Sequence, residues 1–318
     1  MTETETDLRV HVTHDHLRML QGRARSLTFL PRQPSNSVLN GRHTSRMRGR
    51  GLDFEEIRNY QPGDDVRSID WKVTARRGEP HVRVYTEERD RPVLLLVDQR
   101  MSMFFGSVLN MKSVTAAEVA AVAAHRIVGV GDRVGGIVFS DERMVSVRPQ
   151  RSRRAVNAFL KSIAEMNRSL SADQTVGDNG HSLNRPLSAA ASMAGQNHLI
   201  IVVSDFVGLD TETERLVINM ARHNDVVLCA VFDPMARQLP QNMQIVVGDG
   251  RLQVAVDMKK QTTVRALQDV VEGRLKTIMG WQAKTGAPVL PLSSGEDTID
   301  QMRHLMGRLK PRGAGRRI

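Results

Sequence analysis

Two aspartates stand immediately after long apolar runs: Asp98 follows Val93-Leu94-Leu95-Leu96-Val97, and Asp205 follows the run from His198 to Ser204, HLIIVVS. Asp98 also opens the sequence Asp98-Gln99-Arg100-Met101-Ser102-Met103. Carboxylates and hydroxyls that converge at strand ends are hard oxygen donors, the set that Mg2+ prefers while it keeps waters and an open position. Asp98, Ser102 and Asp205 are therefore candidate Mg2+ ligands. Arg100 argues against the metal, because a guanidinium offers only donors and a fixed positive charge. It also points to another use of the same place, in which Arg100 fills the cation's position, pairs with Asp98 and Asp205, and presents residual charge to an acidic group on a partner. Aspartate after a strand is common turn chemistry as well, so a purely structural role for both stays open.

A second constellation lies in the run from Gly49 to Arg76, GRGLDFEEIRNYQPGDDVRSIDWKVTAR, which packs Tyr60, Gly63, Asp64, Asp65, Arg67, Asp70, Trp71 and Arg76 into a short stretch. Asp64, Asp65 and Asp70 can accept forked hydrogen bonds from Arg58, Arg67 or Arg76, Gly63 supplies turn freedom, and Ile69 and Trp71 give an apolar anchor. Three aspartates can instead serve as metal ligands for hydrolytic or phosphoryl chemistry. Against that, the neighbouring arginines would neutralise them, and the chain has no Walker-type loop, His-Glu-x-x-His helix or Gly-x-Ser-x-Gly elbow. No catalytic residue is assigned. The single cysteine, Cys229, sits in an apolar run and reads as a small buried hydrophobe.

The elements that must position these residues follow from hydrophobic periodicity. Val93 to Val97, His198 to Ser204 and Asp225 to Asp233 are continuous apolar runs typical of strands buried on both faces. Between and after them the pattern predicts helices over 112–128, 153–166, 183–194, 259–285 and 297–309, and further strands over 134–139, 144–147 and 288–292. A short helix over 16–27, capped by Asp15, precedes them, and Gly248-Asp249-Gly250 marks a hairpin. The result is an α/β fold with an open, mostly parallel sheet covered by helices on both faces. The polar segment before it, with a strand at 81–86, forms a small N-terminal β accessory unit. Ligands in such sheets collect beyond the carboxyl ends of the strands, where Asp98 and Asp205 stand.

The 318 residues carry a net charge of +10, concentrated in Arg42 to Arg50, Arg148 to Arg154 and Lys310 to Arg317. Such a field draws nucleic acid, acidic lipid or acidic protein surfaces without choosing among them. Aromatic content of 4% leaves few platforms for stacking bases, so nucleic-acid binding through the basic arms is expected to be nonspecific. No apolar stretch approaches the roughly 20 residues of a membrane span, and the acidic N-terminus lacks a secretory pattern, so a cytoplasmic location is expected.

Taken together, the motif Tyr-x-x-Gly-Asp-Asp-x-Arg-x-Ile-Asp-Trp and the strand ending at Asp98 closely resemble the bacterial domain of unknown function 58 family. Asp98-x-Arg100-x-Ser102 with Asp205 resembles the metal-site motif Asp-x-Ser-x-Ser of von Willebrand factor A domains, with Arg100 in place of the first serine. The resemblance implies a von Willebrand factor A-like (Rossmann-like) fold and a hydroxyl ligand before the helix at Leu183, for which Ser182 is the candidate. It divides the chain into an N-terminal helix and basic loop (1–48), the accessory unit (49–91), the von Willebrand factor A-like domain (92–309) and a basic tail (310–318). It also implies a noncatalytic adaptor that works with a MoxR-type AAA+ ATPase in assembling or maturing an unidentified client protein. Whether the Asp64-Asp65 segment contacts a partner or braces its unit is left open by residue types.

Overall fold

The computed structural model describes residues 7–24, 52–87, 92–172, 183–236, 244–248, 253–257 and 261–308. The chain divides into two compact units, one formed by residues 32–90 and the other by residues 1–31 with 91–318. Each is described by itself.

Helix α1 (His14–Ala24) belongs to the larger unit. Thr13 rather than Asp15 accepts from an orphan N–H of its first turn, that of His16, at 3.1 Å. The smaller unit holds β1 (Leu52–Asn59), α2 (Trp71–Arg77) and β2 (His81–Glu87). Its two strands pair antiparallel, with a bulge between Phe54 and Glu56. The accessory unit is thus a hairpin with a helix in its connection. Asp70 specifies that helix by accepting from the N–H groups of Lys72 and Val73, and Gly78 ends it in the left-handed conformation at φ +79°.

The larger unit continues with β3 (Val93–Asp98), α3 (Lys112–Gly129), β4 (Val134–Phe139), β5 (Met144–Gln150), α4 (Arg153–Arg168) and α5 (Asn184–Met193). Then come β6 (Leu199–Ser204), α6 (Thr211–Ala221), β7 (Asp225–Phe232), β8 (Gln244–Gly248) and β9 (Gln253–Asp257). The unit closes with α7 (Gln261–Thr285), β10 (Val289–Ser293) and α8 (Thr298–Arg308). Six strands form one sheet in the order β10-β7-β6-β3-β4-β5, parallel except for the edge strand β5. Numbered within the sheet this is 3-2-1-4-5-6 read from β5, so β3 is the first strand and the order reverses between β3 and β6. Strands β8 and β9 pair separately as a hairpin, as Gly248 suggested; the residues joining them, 249–252, lie outside the described ones.

Burial explains the unbroken apolar runs. Val93, Leu95 and Val97 of β3 join one core with residues of α1, α3, α4 and α8, while Leu94 and Leu96 join a second core with α5, α6 and α7. Both faces of the strand are dry, so neither register position can be polar. Helix α3 carries fully buried Ala116, Ala117, Ala120, Ala121, Ala123 and Ala124, small side chains that let it lie close against its neighbours. Helix α6 was not expected from periodicity, although Asp210 and Thr213 announce it with a reciprocal capping box.

Candidate functional site

Because β3, β6, β7 and β10 run parallel, their carboxyl ends share one edge of the sheet, and the residues that follow them meet there. Asp98 closes β3 and Asp205 follows β6; both side chains are buried. Arg100 is folded between them with a side chain only 1% exposed. Its Nε donates to both Asp98 oxygens, at 3.0 and 3.1 Å, and its Nη2 donates to Oδ2 at 2.7 Å. Nη2 lies 3.9 Å from Asp205 Oδ1, and Nη1 donates to the carbonyl of Val207 at 3.1 Å. The guanidinium carbon also sits 5.8 Å from the centroid of the Phe139 ring. A bidentate, fully desolvated Arg–Asp pair of this kind is among the strongest ionic contacts, and each partner is costly without the other.

Other residues complete the cluster. Ser204 Oγ donates to Asp98 Oδ2 at 2.6 Å and accepts from the Phe206 N–H at 2.8 Å. Lys112, at the start of α3, places Nζ 2.6 Å from Asp205 Oδ2. Asp205 Oδ1 accepts from the Val207 N–H at 3.0 Å and from Ser102 Oγ at 3.3 Å. Burial alone would raise the Asp205 pKa, but Lys112 and Arg100 outweigh it and hold the carboxyl down to about 2. Arg100 shows the converse: burial works against its charge, yet Asp98 and then Asp205 carry its pKa above the ordinary arginine value. The turn after Asp205 is unusual, since Phe206 is buried with φ +55°, a conformation that costs free energy for a non-glycine residue. The Ser204 bond and the edge-on packing of Phe206 against Trp281, at 6.2 Å, hold it there.

The structure therefore brings together Asp98, Arg100, Ser102 and Asp205. Ser182 lies outside the described residues. Every carboxylate oxygen of Asp98 and Asp205 already accepts from a cation, a hydroxyl or an N–H, and Mg2+ would have to displace Arg100 and Lys112 to reach them. As arranged, the donor set does not fit that ion. Arg100 is too deeply buried to offer its own charge to a partner, which corrects that part of the sequence reading.

A third aspartate was missed. Asp233 follows β7, just as Asp98 closes β3 and Asp205 follows β6, so the same apolar-run-then-aspartate signal marks it. Its carboxylate accepts from the Ser107 N–H at 2.8 Å and from Ser107 Oγ, from Ser294 Oγ at 2.7 Å and from the Met235 N–H at 2.9 Å. Burial pushes the Asp233 pKa up, and the Ser107 and Ser294 bonds more than reverse it. These contacts pin the loop between β3 and α3. Asn110 N–H donates to the Ser294 carbonyl, Lys112 N–H to that of Phe105, and Met111 N–H to that of Arg9. A Cβ on Gly106 would stand 2.2 Å from the Asn110 carbonyl oxygen, so only glycine fits this bend. The pinned loop holds Phe105, Val108 and Leu109 out in solvent at 46%, 69% and 40% exposure.

In the smaller unit the ion pairs differ in part from those expected. Arg58 grips Asp64 with two bonds of 2.7 Å, as the spacing allowed. Asp70, however, pairs with Arg83 at 2.7 Å rather than with Arg67 or Arg76, because β2 returns alongside β1 and delivers Arg83 to the helix cap. Asp65 caps a single helical turn over Val66–Ser68 through the Arg67 N–H, and Arg67 and Arg76 are exposed. Gly63 adopts φ +109° and Tyr60 N–H donates to the Pro80 carbonyl. Trp71 is 69% exposed rather than buried as an anchor; among the described residues of this unit the buried apolar side chain is Val82, bridged through the backbone by Ile69.

Among known families, the model described as "Protein of unknown function DUF58" matches residues 56–272, a span that takes in Asp64, Asp70, Asp98 and Asp205. The chain belongs to that family. DUF58 relatives include an uncharacterized protein of Mycobacterium tuberculosis, Rv1480, 30% identical over 297 residues that cover 92% of this chain and 90% of the relative. Another is the uncharacterized protein YeaD of Bacillus subtilis, 38% identical over 55 residues, which are 17% of this chain and 14% of YeaD. Among solved structures, the conserved hypothetical protein BatB of Bacteroides thetaiotaomicron is similar at a TM-score of 0.40 and 11% identity, covering 69% of this chain and 98% of BatB. A von Willebrand factor type A protein of Catenulispora acidiphila is similar at 0.35 and 11% identity, covering 71% of this chain and 45% of that one. These likenesses are loose. The strand order and the helices on both faces of the sheet are, by themselves, those of an open, doubly wound Rossmann-like α/β fold.

Proposed function

We propose that this protein is a noncatalytic adaptor that docks a partner at the carboxyl edge of its sheet, the partner being a MoxR-type AAA+ ATPase engaged in assembling or maturing other proteins. The observation that carries the docking reading is the pinned loop with exposed Phe105, Val108 and Leu109 beside the buried charge cluster. A rigid apolar knob loses little freedom on association and gives an interface its desolvated centre. The ATPase is named only on the resemblance read from the sequence motifs; the family description itself assigns no partner.

The electrostatics favour binding over catalysis. A carboxyl held at about 2, as Asp205 is, stays ionised and ion-paired near neutral pH, far from the range that suits a general acid or base. The Cys229 thiol is pushed up to about 12 by burial, far from nucleophilic use. Among the described residues no helix is long and apolar enough to cross a membrane, which is compatible with work in the cytoplasm.

The test is affinity capture of the full chain from its native host at moderate salt, with magnesium and a nonhydrolysable ATP analogue. Wild type is compared with a Phe105→Ser, Val108→Glu double variant, whose changes lie at exposed positions. Recovery of an AAA+ ATPase that the variant loses supports the proposal. Equal recovery of the ATPase by both forms places docking elsewhere, and recovery of nucleic acid and ribosomal proteins alone removes the adaptor reading.

A second reading has its own observation. Arg148, Arg151, Arg153 and Arg154 are all exposed around the end of β5 and the start of α4, a basic surface suited to phosphates. The basic segments Arg42 to Arg50 and Lys310 to Arg317 lie outside the described residues.

A further inference from the structure

We infer that Arg100 is a permanent, chain-borne cation that replaces a divalent ion at the sheet edge, so that the site is assembled without metal. Charge accounts for it first. Asp98 and Asp205 bring two negative charges into a dry site, and Arg100 and Lys112 return two positive ones at 2.7 and 2.6 Å; Asp141, which acts on Arg100 and accepts from the Met101 N–H at 2.6 Å, and Arg274, whose Nη1 donates to the Asp205 carbonyl at 3.3 Å, add one charge of each sign. A divalent ion entering this neutral set would meet two fixed cations within ångströms, with little water to screen them.

Geometry gives the second reason. A metal at this edge would tie together the loops that follow β3 and β6 by taking oxygens from each. The guanidinium makes the same ties with nitrogen: Nε and Nη2 to Asp98 after β3, Nη1 to the Val207 carbonyl after β6, and Nη2 facing Asp205. A planar fork with five donors is suited to bridging a carboxylate and a carbonyl at once. Arg100 N–H also donates to Asp98 Oδ1 at 3.0 Å, so backbone and side chain of one residue close the ring. Because Arg100 cannot leave, the two loops are held together at all times, with no loaded and unloaded forms.

The inference stands whether or not the partner is an ATPase, and it is tested on the isolated protein. The full chain is freed of metal with EDTA, dialysed, and titrated with Mn2+ alone, uptake being read by electron paramagnetic resonance. Wild type is expected to show no saturable uptake that Asp205→Asn removes. Arg100→Ser, which uncovers the oxygens of Asp98 and Asp205 and adds a hydroxyl, is expected to gain more than about tenfold in Mn2+ affinity, the factor that corresponds to ~1.4 kcal/mol. Saturable uptake by wild type that Asp205→Asn abolishes overturns the inference, as does a folded Arg100→Ser that binds no better than wild type. Uptake that Asp205→Asn leaves intact lies elsewhere and counts as no uptake at this site. If Arg100→Ser does not fold, the wild-type and Asp205→Asn titrations carry the decision alone.

Discussion

Arg100 and Asp98 are each buried and each satisfied mainly by the other, so truncating one strands a charge in the core. Arg100→Met is expected to lose about 3–5 kcal/mol in urea denaturation, the usual cost of breaking such a pair. Pairing it with Asp98→Asn should recover part of that loss in a double-mutant cycle, because no lone charge then remains. Asp205 gives a pH prediction of definite sign. Its folded pKa of about 2 lies below the unfolded carboxyl value, so the stability it contributes is complete above about pH 4 and disappears as pH falls toward 2. The amount is on the order of 2 kcal/mol. Denaturation midpoints measured from pH 6 down to pH 2.5 should show it, and Asp205→Asn should flatten the decline over that window. At this scale Asp98 and Asp205 were legible, since each terminates an apolar run. Lys112 and Arg83 were not, because a residue on a following helix or strand becomes a neighbour only when the chain turns back.

Strands β3 and β4 approach so closely that a Cβ on Gly136 would stand 2.0 Å from the Leu95 carbonyl oxygen, next to the bulge between β4 and β5. Backbone atoms cannot give way as a flexible side chain can. Gly136→Ala is therefore expected to be severely destabilising, by more than about 3 kcal/mol, through overpacking at the centre of the sheet. Circular dichroism melting checks it. In the smaller unit Asp70 both caps α2 and pairs with Arg83, whereas Trp71 beside it is exposed. Asp70→Ala should cost about 1–2 kcal/mol through removal of the cap, and Trp71→Ala should stay within about 0.5 kcal/mol. Hydrogen exchange at the α2 amides distinguishes the two. Helix existence was legible here only in hindsight: Asp70-Trp71-Lys72-Val73 reads as well as a turn, and the Asp70 carboxylate decides for helix by capping two amides.

The charge of +10 acts on the molecule as a whole, and part of it is the exposed group Arg148, Arg151, Arg153 and Arg154. If this surface holds phosphates, replacing the four arginines by serine should shallow the dependence of duplex DNA affinity on salt by roughly 0.9 logarithmic units for each phosphate no longer neutralised. Fluorescence anisotropy at several salt concentrations measures that slope. An unchanged slope would assign the binding to other basic segments. The same substitutions leave the pinned Phe105 loop untouched and so should not alter partner capture, which separates the two readings of the molecule.

By itself the sequence determined the doubly covered parallel sheet, because strands dry on both faces have to be unbroken apolar runs, and it determined the edge at which Asp98 and Asp205 meet. It also contained the objection to a metal, since a guanidinium cannot donate oxygen. Tertiary structure decided the rest. Only folding could show that Arg100, which the sequence already offered as the filler of the site, is sealed from solvent there, that Lys112 from α3 neutralises Asp205, and that Asp233 fastens a loop whose apolar residues stay in water. Residue types state which contacts are available, whereas burial and the return path of the chain select which of them are made.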